Sequence, residues 1–335
     1  MSAGSISGAA RAAAFASILL LGSALSGCGG GSATAPVPAA PVTNAASGLQ
    51  AETVIDAGTT DASDRTAAAG AKVVYKHVRA PGGVGLSTQS VDEPGGKLTF
   101  HGGATVASAL SHDVYVNCAH PASCWGEPAE FLANLGLSTF IHVTDQYIGS
   151  FSNMRYLVGA AASMHYANPA GTLYDADMLQ IVHHVAKSKG TGYGHMYHVF
   201  LPQGTDECFF AGGPCYSPDN PSTFVFCAYH SSVDFGDIGH VLYSVEPYQE
   251  VPGCGDDIHS APPHTLTEST GTVLSHETFE TITDPDGTAW FNSQGFEIGD
   301  LCFRQRGNVN LHGDTYLIQP EFSDAANPPN GDCVF

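Results

Sequence analysis

Residues 275–285 read SHETFETITDP. On a helix, His276, Glu277, Glu280 and Asp284 share one side, while Ser275, Phe279 and Ile282 point away from it. Like charges one helical turn apart repel by a few tenths of a kcal/mol per pair. A cation, protons or water must therefore relieve the cluster. A hydrolytic zinc site needs imidazole and carboxylate converging on the metal, one position open to water, and a carboxylate that takes the proton of that water. The HExxH helix meets these demands with ligands at i and i+4 and the base at i+1. Here the pattern is HExxE, which puts His276 and Glu280 at the ligand positions and Glu277 at the position of the base. Zinc accepts a carboxylate oxygen, but the extra negative charge makes it a weaker Lewis acid. The third ligand must come from elsewhere. Asp284, just before Pro285, is one candidate and Asp300, in EIGD at 297–300, is the other. Glu297 and Asp300 stand at the spacing at which many zincins place a third ligand.

Two further readings of these residues stay open. A solvated polar face needs no metal. An oxygen-rich set of Glu280, Asp284, Asp286, Glu297 and Asp300 would suit structural Ca2+ in place of Zn2+, without the spacing of an EF-hand loop and with His276 as a bystander. Against the solvated face stand the narrow apolar stripe of Phe279 and Ile282 and the scarcity of charge, since Asp, Glu, Lys and Arg make up only 13% of the chain. Among the other histidines, His183 and His184 read as surface or boundary positions. His195 and His198 read as packing residues of an aromatic strand. His230, in FCAYH, could line a cleft near the motif helix, and His259 and His264 lie in a Pro-rich loop before it. No Ser-His-Asp or GxSxG pattern is present, and the glycines of residues 82–85 precede no helix that would make them a phosphate cradle.

Residues 265–285 are expected to form the motif helix, started by Thr and Ser caps and stopped by Pro285. DADMLQIVHHVAKSKG (175–190) is a second helix, with Asp175 as a cap, an apolar stripe of Met178, Ile181, Val182 and Val185, and lysines in its last turn. PAEFLANLG (128–136) is a third, short one. Strands are expected at 71–78, 97–103, 112–118, 138–144, 195–202, 222–230 and 239–248, with strands or loops at 296–303 and 314–322. Strands grouped ahead of the motif helix give an α+β fold: a zincin-like, mixed and twisted sheet backed by the motif-bearing helix.

The N-terminus has Arg11, then an apolar run over 12–25, then small residues, which is the plan of a signal peptide over 1–27. Leu25-Ser26-Gly27-Cys28 resembles the bacterial lipobox, which makes Cys28 the lipidated residue. Residues 28–70, rich in Ala, Gly, Ser, Thr and Pro, read as a flexible tether, and 71–335 as a single domain. The expected place is the bacterial cell envelope, at the outer membrane or cell surface, with a lipid anchor as the only membrane contact. Net charge is −21, from 11 Lys+Arg against 32 Asp+Glu, which argues against nucleic acid as a partner. Besides Cys28, the cysteines of an exported chain read as disulfides that staple the domain. Local spacing pairs Cys118 with Cys124 and Cys208 with Cys215. Cys227–Cys254 and Cys302–Cys333 are then the guess for the rest, one of the 105 connectivities that eight cysteines allow.

Several stretches resemble the phosphate-induced protein 1 family, the EXORDIUM-like secreted proteins known from plants. They are KLTFHGGATVASALSHDVYVN (97–117), LYDADMLQIVHHVAKSKGTGYGHMYHVFLP (173–202), FCAYH (226–230) and the Cys-containing C-terminus, over a span of about 97–335. SHETFETITDP followed by FEIGDLC also resembles exported bacterial zincin-type peptidases with SHExxExxTDP and EIGDxC. That second resemblance implies His276 and Glu280 as ligands and Glu277 as base, and the departure from HExxH bears directly on activity. The expected function is a lipid-anchored zinc metallohydrolase that acts on a protein or peptide substrate. The alternative is a non-catalytic, EXORDIUM-like protein that binds a wall polymer or partner, with calcium or no metal in the acidic helix.

Overall fold

The computed structural model describes residues 53–81, 96–149, 152–167, 171–255 and 265–335. The expected signal peptide, Cys28, the glycines of 82–85, His259 and His264 lie outside these residues. An eight-stranded mixed sheet forms the centre. Its strands are β1 (Val54–Gly58), β2 (Lys72–Arg79), β3 (Ala109–Val116), β4 (Tyr156–Val158), β5 (Ala161–Met164), β6 (His195–Phe200), β7 (Ala228–Phe235) and β8 (Gly239–Glu246). The spatial order is β1-β5-β3-β6-β8-β7-β2, with β4 beside β3. Strands β1, β5, β3, β6 and β8 run parallel to their neighbours in that series. β7 is antiparallel to both β8 and β2.

Side chains alternate between the two faces of the sheet. One face presents Val114, Val116, Tyr197, Val199, Val241 and Val245 to helix α3 (Asp175–Lys189). The stripe of α3, Met178, Ile181, Val182 and Val185, is buried there as its spacing requires, at about 1.5–3 kcal/mol for each side chain removed from water. The cap of α3 is Tyr174 rather than Asp175, because Asp177 Oδ2 accepts the Tyr174 N–H (2.8 Å). The other face presents Tyr115, Met196, Phe200 and Leu242 to Leu274, Phe279 and Ile282 of helix α4 (Leu266–Thr283) and to helix α2 (Pro128–Leu137). The motif helix therefore lies on a large mixed sheet. Four disulfides, Cys118–Cys124, Cys208–Cys215, Cys227–Cys254 and Cys302–Cys333, staple the fold in the pairing expected.

α4 contains many β-branched threonines, which are poor helix formers. A reciprocal capping box between Thr265 and Glu268 starts it. Along its length, Thr278, Thr281 and Thr283 donate their hydroxyls to the carbonyls of Leu274, Glu277 and Phe279 at 2.6, 2.7 and 2.9 Å. These three hydroxyls are thus satisfied within the buried helix, whereas Thr270 Oγ1, also buried, has no hydrogen-bond partner. Gly271 admits α2 closely, since a Cβ there would lie 2.7 Å from the Phe131 ring.

Several expectations differ from the structure. The tether was expected to run to residue 70, but β1 pairs with β5 and is followed by helix α1 (Ala62–Gly70). Polar chemistry fixes this segment where hydrophobic content would not. Asp61 and Asp64 form a capping box, and the buried Asp64 carboxylate also meets His183 Nδ1, His184 Nδ1 and Lys187 Nζ, each at 2.8 Å. His183 and His184 are therefore docking residues for α1 rather than surface ones, and His183 is fully buried. Residues 138–144 are not a strand. They form a 3-10 turn, Phe140–Thr144, that runs into the short helix Asp145–Ile148. Buried positions 140, 141, 144 and 147 repeat at helical spacing, and Thr144 Oγ1 donates to Ile141 O. The strand expected over 222–230 begins only at Ala228, and that over 97–103 is limited to Thr99–Phe100.

Removing one partner from a buried charge network leaves the others uncompensated. Asp64→Asn is therefore expected to lower stability by about 3 kcal/mol in urea unfolding. Burial raises the Asp64 pKa, but Lys187, the Asp61 amide and the two imidazoles outweigh it and hold the carboxyl below its ordinary value. Its contribution is full above an unfolded pKa of about 3.9 and fades as pH falls through the lower folded value. An unchanged urea midpoint in Asp64→Asn at neutral pH would contradict this docking role.

Candidate metal centre

The register of the sheet places two histidines side by side under α4. β2 pairs with β7 so that His77 lies directly opposite His230, on the face that α4 covers. One turn of α4 brings His276, Glu277 and Glu280 down onto this pair. The segment after the helix returns Glu297 and Asp300 to the same place, the latter in a 3-10 turn, Asp300–Cys302. The Cys302–Cys333 disulfide ties that turn to the C-terminus. Gly299 is required there, because a Cβ would lie 2.4 Å from His276 Nδ1.

Three imidazoles and three carboxylates alternate around a closed ring. His276 Nε2 lies 3.1 Å from Glu280 Oε1, and Glu280 Oε2 lies 3.6 Å from His230 Nε2. His230 Nε2 is 3.3 Å from Glu297 Oε2, and Glu297 Oε1 is 3.4 Å from His77 Nδ1. His77 Nε2 is 2.8 Å from Asp300 Oδ2, and Asp300 Oδ1 is 3.9 Å from His276 Nε2. Several of these separations exceed a good hydrogen bond, which closes at about 3.2 Å.

Within the ring, Glu297, Glu280 and His276 each have one atom pinned and another left free, while both nitrogens of His77 are held, by Tyr75 OH and Asp300. Tyr75 OH donates to Glu297 Oε1 at 2.5 Å, and Glu297 Oε2 has no partner. The Asp300 amide donates to Glu280 Oε1 at 3.2 Å, and Glu280 Oε2 has no partner. Asp300 Oδ2 takes His77 and the Glu297 amide. The Gln319 amide meets His276 Nδ1 at 3.0 Å and leaves Nε2 without a hydrogen bond. His230 has no hydrogen-bond partner at either ring nitrogen, and neither carboxylate oxygen of Glu277 has one. Supporting contacts that fix one end of a ligand and present the other are the usual second layer of a metal site. Three sets of side chains bring ligand atoms within 4.8 Å of one another: His77, Glu280 and Asp300; His230, Glu280 and Glu297; His276, Glu277 and Glu280.

The electrostatics agree with the geometry. His276, Glu277, Glu280 and Glu297 are 0% exposed. Arg79, on β2, is the guanidinium that faces Glu277, Glu280, Asp300 and Glu246. Burial pushes Glu277 well above its ordinary pKa, helped by Glu280 and Glu246, and raises Glu297 and Glu321 likewise. Burial also lowers His230 to about 4, against the pull of Glu280. His77 is driven the other way. Burial opposes its charge, but Asp300 and Glu297 raise its pKa well above the ordinary value.

Of the residues singled out by spacing, His276, Glu277, Glu280 and Asp300 come together. Asp284 stands outside the three sets whose ligand atoms converge, although its Oδ2 is buried without a hydrogen-bond partner. Its Oδ1 accepts the N–H groups of Thr288 and Ala289 at 2.7 and 2.6 Å and closes the turn after α4. Asp286 turns away to His240, 3.1 Å distant, and to Tyr193, so the oxygen-rich set proposed for calcium is not gathered as a unit. The solvated face is overturned, because α4 is buried from Ser269 to Thr283. Spacing alone gave no sign of His77, Tyr75 or Gln319, and it marked His230 only as a residue near the helix. His195 and His198 are packing residues with polar tips, bonded to His112 Nε2 (3.0 Å) and Ser244 Oγ (2.9 Å).

The chain matches no protein-family model, no curated protein and no solved structure.

Proposed function

We propose that this chain is a zinc-dependent hydrolase of peptides, with His276, Glu280 and Asp300 as metal ligands and Glu277 as the general base. One observation carries the reading. His276 Nε2 is fully buried, lacks a hydrogen bond, and faces Glu280 and Asp300 beside a Glu277 carboxylate with two free oxygens. Buried polar atoms without partners are costly, at about 1–3 kcal/mol each, and a cation held by His276, Glu280 and Asp300 relieves His276 Nε2 and offsets the surrounding negative charge. Zinc held there supplies a Lewis acid. Glu277 takes a proton at a free carboxylate oxygen and returns it to the leaving amine. His77 holds Asp300, and Gln319 holds the His276 ring. The approach for substrate is the side where His77 (19%) and Asp300 (13%) retain exposure. The acidic interior favours neutral or basic peptides over acidic ones.

The zincin-like placement of the motif helix on its sheet, and the EXORDIUM-like and peptidase resemblances, belong to this proposal. So does export to the cell envelope with a lipid anchor at Cys28. Four disulfides support an oxidising compartment.

The closed chamber favours a second reading, because structural metal sites leave no open position. In that reading the chain is a non-catalytic, EXORDIUM-like surface protein that binds a wall polymer, and its cation only stabilises the fold. Peptide hydrolysis by the full chain distinguishes the two. The hydrolase reading predicts turnover that a chelator abolishes and zinc restores. A chelator that lowers the melting temperature of a protein without turnover would establish the second.

A further inference from the structure

We infer that Glu280 bridges two divalent cations, and that His230 and Glu297 form the far side of the second. The inference rests on the metal reading above for the first cation, but different atoms carry the second. His230 is fully buried, and neither ring nitrogen has a hydrogen-bond partner. Its Nε2 faces Glu297 Oε2 at 3.3 Å and Glu280 Oε2 at 3.6 Å. Those two oxygens are themselves unpartnered. Bonds of about 2.0–2.2 Å in a tetrahedral shell put neighbouring ligand atoms roughly 3.3–3.5 Å apart. The His230 set therefore has the spacing of a metal shell rather than of a hydrogen-bonded trio.

Glu280 connects the two halves. Its Oε1 lies toward His276 and its Oε2 toward His230. All three ligand sets in the chamber contain it. One ion bound through a single oxygen would leave the other oxygen, the His230 ring and Glu297 Oε2 buried without a partner. Two ions use His276 Nε2, both oxygens of Glu280, His230 Nε2 and Glu297 Oε2. Carboxylate-bridged pairs lie about 3.5–4 Å apart, a spacing set by the two oxygens of one carboxylate. Tyr75 OH fixes the outer oxygen of Glu297 and so aims the inner one at His230. Charge points the same way, since Glu277, Glu280, Asp300, Glu246 and Glu321 share Arg79 as a permanent cation. Imidazole with carboxylate suits first-row divalent ions such as Zn2+ or Mn2+.

The test is a Zn2+ titration of the chelator-treated full chain by calorimetry, with bound metal counted by elemental analysis. The wild type is expected to take two equivalents. His230→Gln and Glu297→Gln are each expected to take one, and His276→Gln also one. With Co2+, the second equivalent should alter the paramagnetic signal of the first through the shared carboxylate. A wild type that takes one equivalent, kept in His230→Gln and lost in His276→Gln, would overturn the bridge and leave the proposed hydrolase standing. No binding by the folded wild type would overturn both. The wild-type stoichiometry needs no variant, so a misfolded substitution does not blunt the test.

Discussion

Replacing Glu280 by glutamine is expected to abolish metal-linked stabilisation altogether. Wild-type protein at a zinc concentration about 100 times Kd gains roughly 2.7 kcal/mol from binding, and its melting temperature rises accordingly. Glu280→Gln keeps the size and burial of the side chain but removes the anionic oxygens that face His276 and His230. Loss of a mere supporting contact costs about 10- to 100-fold in affinity, and loss of this ligand should cost more. Without metal the order of stability reverses. Glu280 is among the charges that raise the pKa of Glu277 and Glu297, so the neutral amide relieves repulsion and the metal-free variant should be the more stable of the two. Thermal unfolding with and without zinc measures both signs. A variant that still gains stability from zinc as the wild type does would show that Glu280 is not the hub of the chamber.

Glu277→Gln is expected to separate binding from catalysis. Glu277 stands at the base position of the motif, and its oxygens make no hydrogen bond. The amide fits the same space, leaves His276, Glu280 and Asp300 in place, and should retain metal at the wild-type level. It cannot accept the proton, so hydrolysis should fall by about 10²–10⁴-fold, the usual contribution of a positioned base. Unreduced turnover in a metal-loaded Glu277→Gln protein would remove Glu277 from the mechanism.

Much of this scaffold is written locally. The stripe of α3, the Thr265 start and Pro285 stop of α4, and the alternation in β3, β6 and β8 each depend on residues a few positions apart. The nearby cysteines likewise show their own pairing. Half of the centre is legible for the same reason, because His276, Glu277 and Glu280 occupy one helical turn. The other half comes from tertiary register. His77 and His230 meet only because β2 adds to the sheet edge next to β7, and the pairing of strands so far apart leaves no local mark. The segment from Val54 to Gly70 looked like a tether because its composition is small and polar. What docks α1 is a single buried carboxylate, Asp64, whose partners on α3 cannot be known before α3 is placed beside it. Residues 138–144 looked like a strand because Thr, Phe, Ile and Val favour one. Their burial at helical spacing shows that packing outweighed propensity.

The central claim is that carboxylates and imidazoles tolerate one another beneath α4 because they share a cation. Elemental analysis of the purified full chain, wild type beside His276→Ala, tests it most directly. The account predicts bound zinc or another first-row metal at one or more per chain in the wild type, with a clear loss in the variant. A folded wild type that holds no metal, before or after incubation with zinc, would contradict it.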